Sequence, residues 1–204
     1  MSKIALIGDS HSEVTFPLLK PKLEQAGHTV SSMVSEIGWA TYSFNNQPSY
    51  FQTLLQGDPD TIIVALGGNN SKLSDSSYGQ SIQTFLSNIG YPQRKVIWIS
   101  PKRAIREDVE RRHEWTSEWL KRNLPNDIIF IDSRPYTEQG HRDDGVHFTR
   151  SAYKQFVEKI TPKVLSGVSL PPTLYRVKRS IPYIVLVLSL AGLSYAAWRR
   201  YNDT

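Results

Sequence analysis

The sequence predicts an alternating α/β domain whose parallel sheet is covered on both faces. Short apolar or β-branched runs recur five times, helical patterns lie between them, and 204 residues suffice for one core of ordinary size with some chain left over. The runs are Ile4 to Ile7, Thr29 to Val34, Thr61 to Leu66, Val96 to Ile99 and Ile128 to Ile131, each of strand length. Between them, 77–89 sets Ile82, Phe85 and Ile89 at helical spacing, 106–124 is charged and amphipathic, and 152–160 repeats Ala152, Phe156 and Ile160. The stretch after the first run is less regular, because Pro17 and Pro21 are expected to kink or delay a helix. Trp115 and Trp119, four apart on one helix, are expected to pack. Five strands alternating with helices imply right-handed crossovers.

Composition narrows the function. Hydrophobic residues make up 39% and charged residues 21%, which excludes disordered or fibrous classes. There is no cysteine, so a disulfide framework, a thiolate metal site and a thiol nucleophile are all excluded. The net charge of +5 would suit a nucleic-acid binder if it were spread over the domain. It is not: beyond Leu170 lie Arg176, Lys178, Arg179, Arg199 and Arg200 against Asp203 alone, and the rest of the chain is nearly neutral. No nucleic-acid partner is expected.

The basic tail brackets an apolar segment. Residues 181–198 contain no charge in 18 positions, about 27 Å as a helix, close to the roughly 30 Å of a hydrocarbon core. Basic residues flank it, and Tyr175, Tyr183, Trp198 and Tyr201 sit near its ends. A single-pass anchor in a lipid bilayer is expected. The division is then 1–167 for the domain, 168–180 for a linker with a basic flank, 181–198 for the span and 199–204 for a polar tail. The small, Pro-containing run from Ser166 to Pro172 suggests where the linker begins. The run Ile4 to Ile7 is too short for a signal peptide, which favours a domain on the cytoplasmic side or in a viral membrane.

Ligands of parallel α/β sheets bind outside the carboxyl ends of the strands, which directs attention to the loops after each run. The first carries Gly8-Asp9-Ser10, the second Gly38-Trp39, the third Gly67-Gly68-Asn69-Asn70 and the fourth Ser100 to Arg103, while the fifth leads to Asp144-Gly145-Val146-His147. A serine becomes a nucleophile when an imidazole takes its proton, and the imidazole needs an acceptor to fix its tautomer. Ser10, His147 and Asp144 are the three parts of such a triad. The amides of Ser10 and Gly38 and the side chain of Asn69 are candidate oxyanion donors.

These residues resemble the SGNH (GDSL-like) hydrolase superfamily, whose blocks contribute Ser, Gly, Asn and His in that order. The resemblance covers about residues 3 to 165 and implies a flavodoxin-like α/β/α sandwich with a five-stranded parallel sheet. It implies Ser10 as nucleophile, His147 as general base and then acid, and Asp144 as its orienter, with Ser10, Gly38 and Asn69 forming the oxyanion hole. Asn70 stands where the third block usually has Asp, which bears on loop hydrogen bonding and leaves the triad whole. His11, Trp39, Arg103 and Arg142 are further candidates for substrate contact, each with an ordinary loop, core or surface role as its alternative. No metal cluster is visible in the sequence, and the chemistry needs neither metal nor cofactor. The expected function is a membrane-anchored serine esterase or deacylase. The alternative is a structural or binding module of a membrane-associated assembly such as a membrane-containing virion.

Overall fold

The computed structural model describes residues 1–70 and 74–169. The linker from Leu170 onward, the span at 181–198 and the tail at 199–204 lie outside the described residues. Among the described residues no helix is long and apolar enough to cross a membrane.

Five strands form one parallel sheet: β1 (Lys3–Gly8), β2 (Thr29–Ser35), β3 (Thr61–Ala65), β4 (Lys95–Ile99) and β5 (Ile129–Ile131). Their order is β2-β1-β3-β4-β5. The connections carry α1 (Ser12–Gln25), α2 (Thr41–Asn45), α3 (Pro48–Leu55), α4 (Asp75–Asn88) and α5 (Glu107–Asn123), and α6 (Arg150–Ser169) closes the domain. Successive strand side chains point to opposite faces, so each apolar run supplies two cores. Ala5, Ile7, Ile62, Val64 and Trp98 face Phe44, Leu54, Phe85 and Leu120 of α2 to α5. Ile4, Leu6, Ile63 and Ile97 face Phe16 and Leu19 of α1 and Phe156 and Ile160 of α6. The result is the expected three-layer α/β/α arrangement. As expected, Trp115 and Trp119 pack, both against Tyr78.

Two sequence expectations are corrected. Helix α1 runs unbroken through Pro17 and Pro21, because both lie on its exposed face, where the carbonyls they leave unpaired can turn to water. Helix α6 continues through Ser169, past the expected domain end at 167 and through the first part of the expected linker. Lys95 Nζ donates to the carbonyls of Gly167 at 3.2 Å and Val168 at 2.7 Å, and Gly167 lets the helix press against Ile97 and Ile129. Its glycine therefore marks close packing instead of a turn.

The strand order changes direction between β1 and β3. Such a point leaves a crevice at the carboxyl ends of the two strands, where the loops carrying Ser10 and Asn69 emerge side by side.

Candidate active site

β1 ends at Gly8, and the chain turns at once into α1, with the Ser12 amide donating to the Asp9 carbonyl at 2.8 Å. This turn leaves Ser10 half-buried just ahead of the helix. Its amide donates to no other group among the described residues. Ser10 Oγ lies 2.9 Å from His147 Nε2, and His147 Nδ1 lies 2.9 Å from Asp144 Oδ2.

Asp144 is fixed by its own loop. Its other oxygen accepts from the amides of Val146 and His147, each at 2.8 Å. These two amides, and then the imidazole, hold its carboxyl down at about 2. A carboxylate can only accept, so Nδ1 carries the proton in the neutral ring and Nε2 is left to accept from the Ser10 hydroxyl. The loop is pinned by Arg142 N donating to His147 O at 2.7 Å and Ile105 N donating to Gly145 O at 2.8 Å.

Ser10, Gly38, Asn69 and His147 line one cavity of about 170 Å³. Gly38 has φ +74, a left-handed conformation that favours glycine, and its amide, like that of Ser10, is uncommitted among the described residues. Asn69 Nδ2 donates one hydrogen to the Trp39 carbonyl at 3.1 Å, which orients the amide and leaves a second hydrogen. Beside it Asn70 is fully buried, donating to Thr41 Oγ1 at 2.8 Å and accepting from the Thr41 amide at 3.4 Å. The Asn70 side chain thus ties the loop to α2. A second, larger groove of about 570 Å³ shares Ser10, Ile37 and His147 with the first and includes Arg142.

The remaining sequence candidates separate. His11 lines the small cavity but is nearly buried, with Nδ1 2.8 Å from the Tyr153 hydroxyl and its ring 4.9 Å from that of His147. Burial pushes it well below the ordinary histidine value, so it is neutral. Trp39 and Arg103 line neither cavity. Trp39 packs on Phe44 and Tyr50, and Arg103 pairs with Glu110 at 3.2 Å.

Sequence reasoning missed the inner wall of the cavity, where Asp9, Lys102 and His113 are all nearly buried. Burial lowers Lys102 to about 8 against the pull of Asp9, and burial raises Asp9 against the pull of Lys102. His113 donates from Nδ1 to the Lys102 carbonyl at 2.7 Å, and burial lowers it too. Its Nε2 would lie 2.8 Å from a Cβ at position 68, so Gly68 lets the ring approach the loop backbone. The only available signal was the position of Lys102 on a loop at the strand ends.

No family model matches the sequence, and no curated protein matches it. Solved structures do match. A carbohydrate esterase family 3 protein from Talaromyces cellulolyticus is 20% identical with a TM-score of 0.61, over 82% of this chain and 98% of that one. A lipase/acylhydrolase from Enterococcus faecalis is 19% identical with a TM-score of 0.58, over 80% and 97%. A GDSL-like lipase from Bacteroides thetaiotaomicron is 14% identical with a TM-score of 0.62, over 81% and 88%. The described domain therefore has the SGNH/GDSL-like hydrolase fold.

Proposed function

We propose that this chain is a serine hydrolase that cleaves a carboxylic ester through an acyl-enzyme on Ser10, held at a membrane by residues 181–198. The Ser10–His147–Asp144 chain of hydrogen bonds, at 2.9 Å on each side of the imidazole, carries this reading. His147 Nε2 takes the hydroxyl proton as Ser10 Oγ bonds to the carbonyl carbon. The carbonyl oxygen becomes an anion among the amides of Ser10 and Gly38 and the Asn69 side chain. His147 then returns the proton to the departing alcohol as the ester C–O bond breaks, and a water repeats the sequence to release the acid.

The small cavity favours a short acyl group. At about 170 Å³ it is comparable with cavities of roughly 150 Å³ that admit a benzene-sized molecule, whereas a long fatty chain would overfill it. Short-chain deacylation, as of an acetylated glycan, fits better than removal of a long fatty acid.

The test is covalent. A fluorophosphonate should label wild-type protein on Ser10 and leave Ser10→Ala unlabelled, and wild type should turn over 4-nitrophenyl acetate. A folded protein that is neither labelled nor active would leave the fold as a structural or binding module.

A further inference from the structure

The larger groove is unusual in its charges. Arg94, Arg103, Arg106, Arg111, Arg112 and Arg134 each have a carboxylate within ion-pair distance. Arg122, Arg142 and Arg150 do not, among the described residues, and Arg122 donates instead to the Glu118 carbonyl. Arg142 and Arg150, both exposed, open on the groove of about 570 Å³ that reaches Ser10 and His147. Glu13 is the acidic member of that lining, set in the first turn of α1, where a helix N-terminus favours a carboxylate. Asp144 is committed to His147. The groove thus presents two guanidiniums against one unpaired carboxylate, beside an apolar wall that includes Val14, Leu18 and Phe148.

Resting on the hydrolase reading above, we propose that this groove is the leaving-group site, and that the alcohol half of the substrate ester carries an oxyanion held by Arg142 and Arg150. That group is a carboxylate, phosphate or sulfate. The assignment of sides follows from proton delivery. Gly38 and Asn69 line the small cavity and not the groove, which fixes the carbonyl oxygen and acyl group there. The departing oxygen must pass His147 Nε2 to be protonated, and the two arginines flank His147 in sequence. Arg142 is also tied to it through the backbone at 2.7 Å. The apolar wall accommodates the carbon skeleton between ester and anion. Guanidinium forks suit planar or tetrahedral oxyanions, which they bind through paired N–H groups.

Three esters with leaving phenols of similar acidity test this: 4-acetoxybenzenesulfonate with the charge on the alcohol, 4-acetoxybenzenesulfonamide with no charge, and the 3-sulfopropanoate ester of 4-hydroxybenzenesulfonamide with the charge on the acyl group. Wild type should favour the first over the second in kcat/KM by about tenfold at low salt, the effect of two surface ion pairs. The preference should shrink as ionic strength rises. In Arg142→Gln/Arg150→Gln that ratio should fall to about one. The ratio is measured within one preparation, so partial misfolding does not change it. A ratio near one in wild type, or a preference for the acyl-charged ester, overturns the proposal while leaving Ser10-dependent hydrolysis standing. Absence of Ser10-dependent turnover of every ester instead removes the hydrolase reading, and this proposal with it.

Discussion

A hydroxyl and an imidazole separated by 137 positions meet at 2.9 Å because the first strand and the loop before the last helix both end at the same edge of the sheet. Ser10→Ala and His147→Ala should each abolish turnover of 4-nitrophenyl acetate with circular dichroism unchanged, since the two act as one unit. Asp144→Asn should be damaging but retain more activity. Asn69→Ala should lower kcat by about 10² to 10³ with little change in KM, the usual loss for one oxyanion donor. Because two backbone amides hold Asp144 at about 2, it stays ionised on acidification from neutrality to about pH 4. Over that range no fall in kcat/KM should come from protonation of Asp144, so the carboxylate goes on orienting the imidazole. An acid loss of activity above about pH 4 that disappears in Asp144→Asn would show this carboxylate titrating there, against the geometry seen here. Asp9 and Lys102 are both buried and feel each other's charge without direct ion-pair contact, so removing either leaves the other less compensated. Asp9→Asn and Lys102→Met should each lower stability in urea unfolding by about 1 to 3 kcal/mol, and the double variant by less than their sum. Additive losses would mean that the two charges are not coupled. That Ser10, Asp144 and His147 could meet was legible because each stands in a short block on a loop at the carboxyl ends of the strands. Lys102 was not legible: it and Arg103 are neighbours on one loop, and only the fold shows that the lysine turns into the cavity while the arginine turns to Glu110.

Regular elements announced themselves where one period dominates. β1, β3 and β4 were readable because burial on both faces of a parallel sheet demands unbroken β-branched and aliphatic runs, while the edge strands β2 and β5 are only partly buried and were readable from their β-branched residues. α4 and α5 were readable because each keeps a single apolar face. α2 and α3 were not, being 5 and 8 residues long, too short for a period to develop. Their buried Phe44, Phe51 and Leu54 are recognisable as core only once the sheet is there to receive them. Helix α1 was obscured by prolines that the fold tolerates through their position. Pro21 interrupts the hydrogen-bond ladder on the exposed side, so Pro21→Ala should restore one helical bond and remove a steric clash. Against this stands a small loss, since proline also restricts the unfolded chain. The balance should raise stability by about 2 kcal/mol in chemical denaturation. Unchanged or lowered stability would mean that the backbone around Pro21 is held away from helical geometry.

At the scale of the whole chain, the domain and the segment beyond it make separable demands. Within the described residues both faces of the sheet are buried, and Ser10, Gly38, Asn69, Asp144 and His147 meet. α6 begins at Arg150 beside the larger groove and ends where Lys95, the first residue of β4, binds its last carbonyls, at the edge of the sheet opposite Ser10. Deleting residues 173–204 should therefore give a soluble, folded domain with unchanged kcat/KM on 4-nitrophenyl acetate. Loss of folding would instead mean that the apolar run at 181–198 packs on the domain as part of its core. For the full-length chain the distinction lies in what holds it at the membrane. If 181–198 spans the bilayer, apolar burial holds it, and salt has no purchase on apolar burial because it screens charge alone. Full-length protein should then remain in the membrane fraction through a wash at about 1 M salt, where the screening length falls to roughly 3 Å, and should be released by detergent. The truncated domain should appear in the supernatant under both conditions. Release of the full-length chain by salt alone would assign its attachment to Arg176, Lys178 and Arg179 acting on an anionic surface, and the spanning segment would have to be withdrawn.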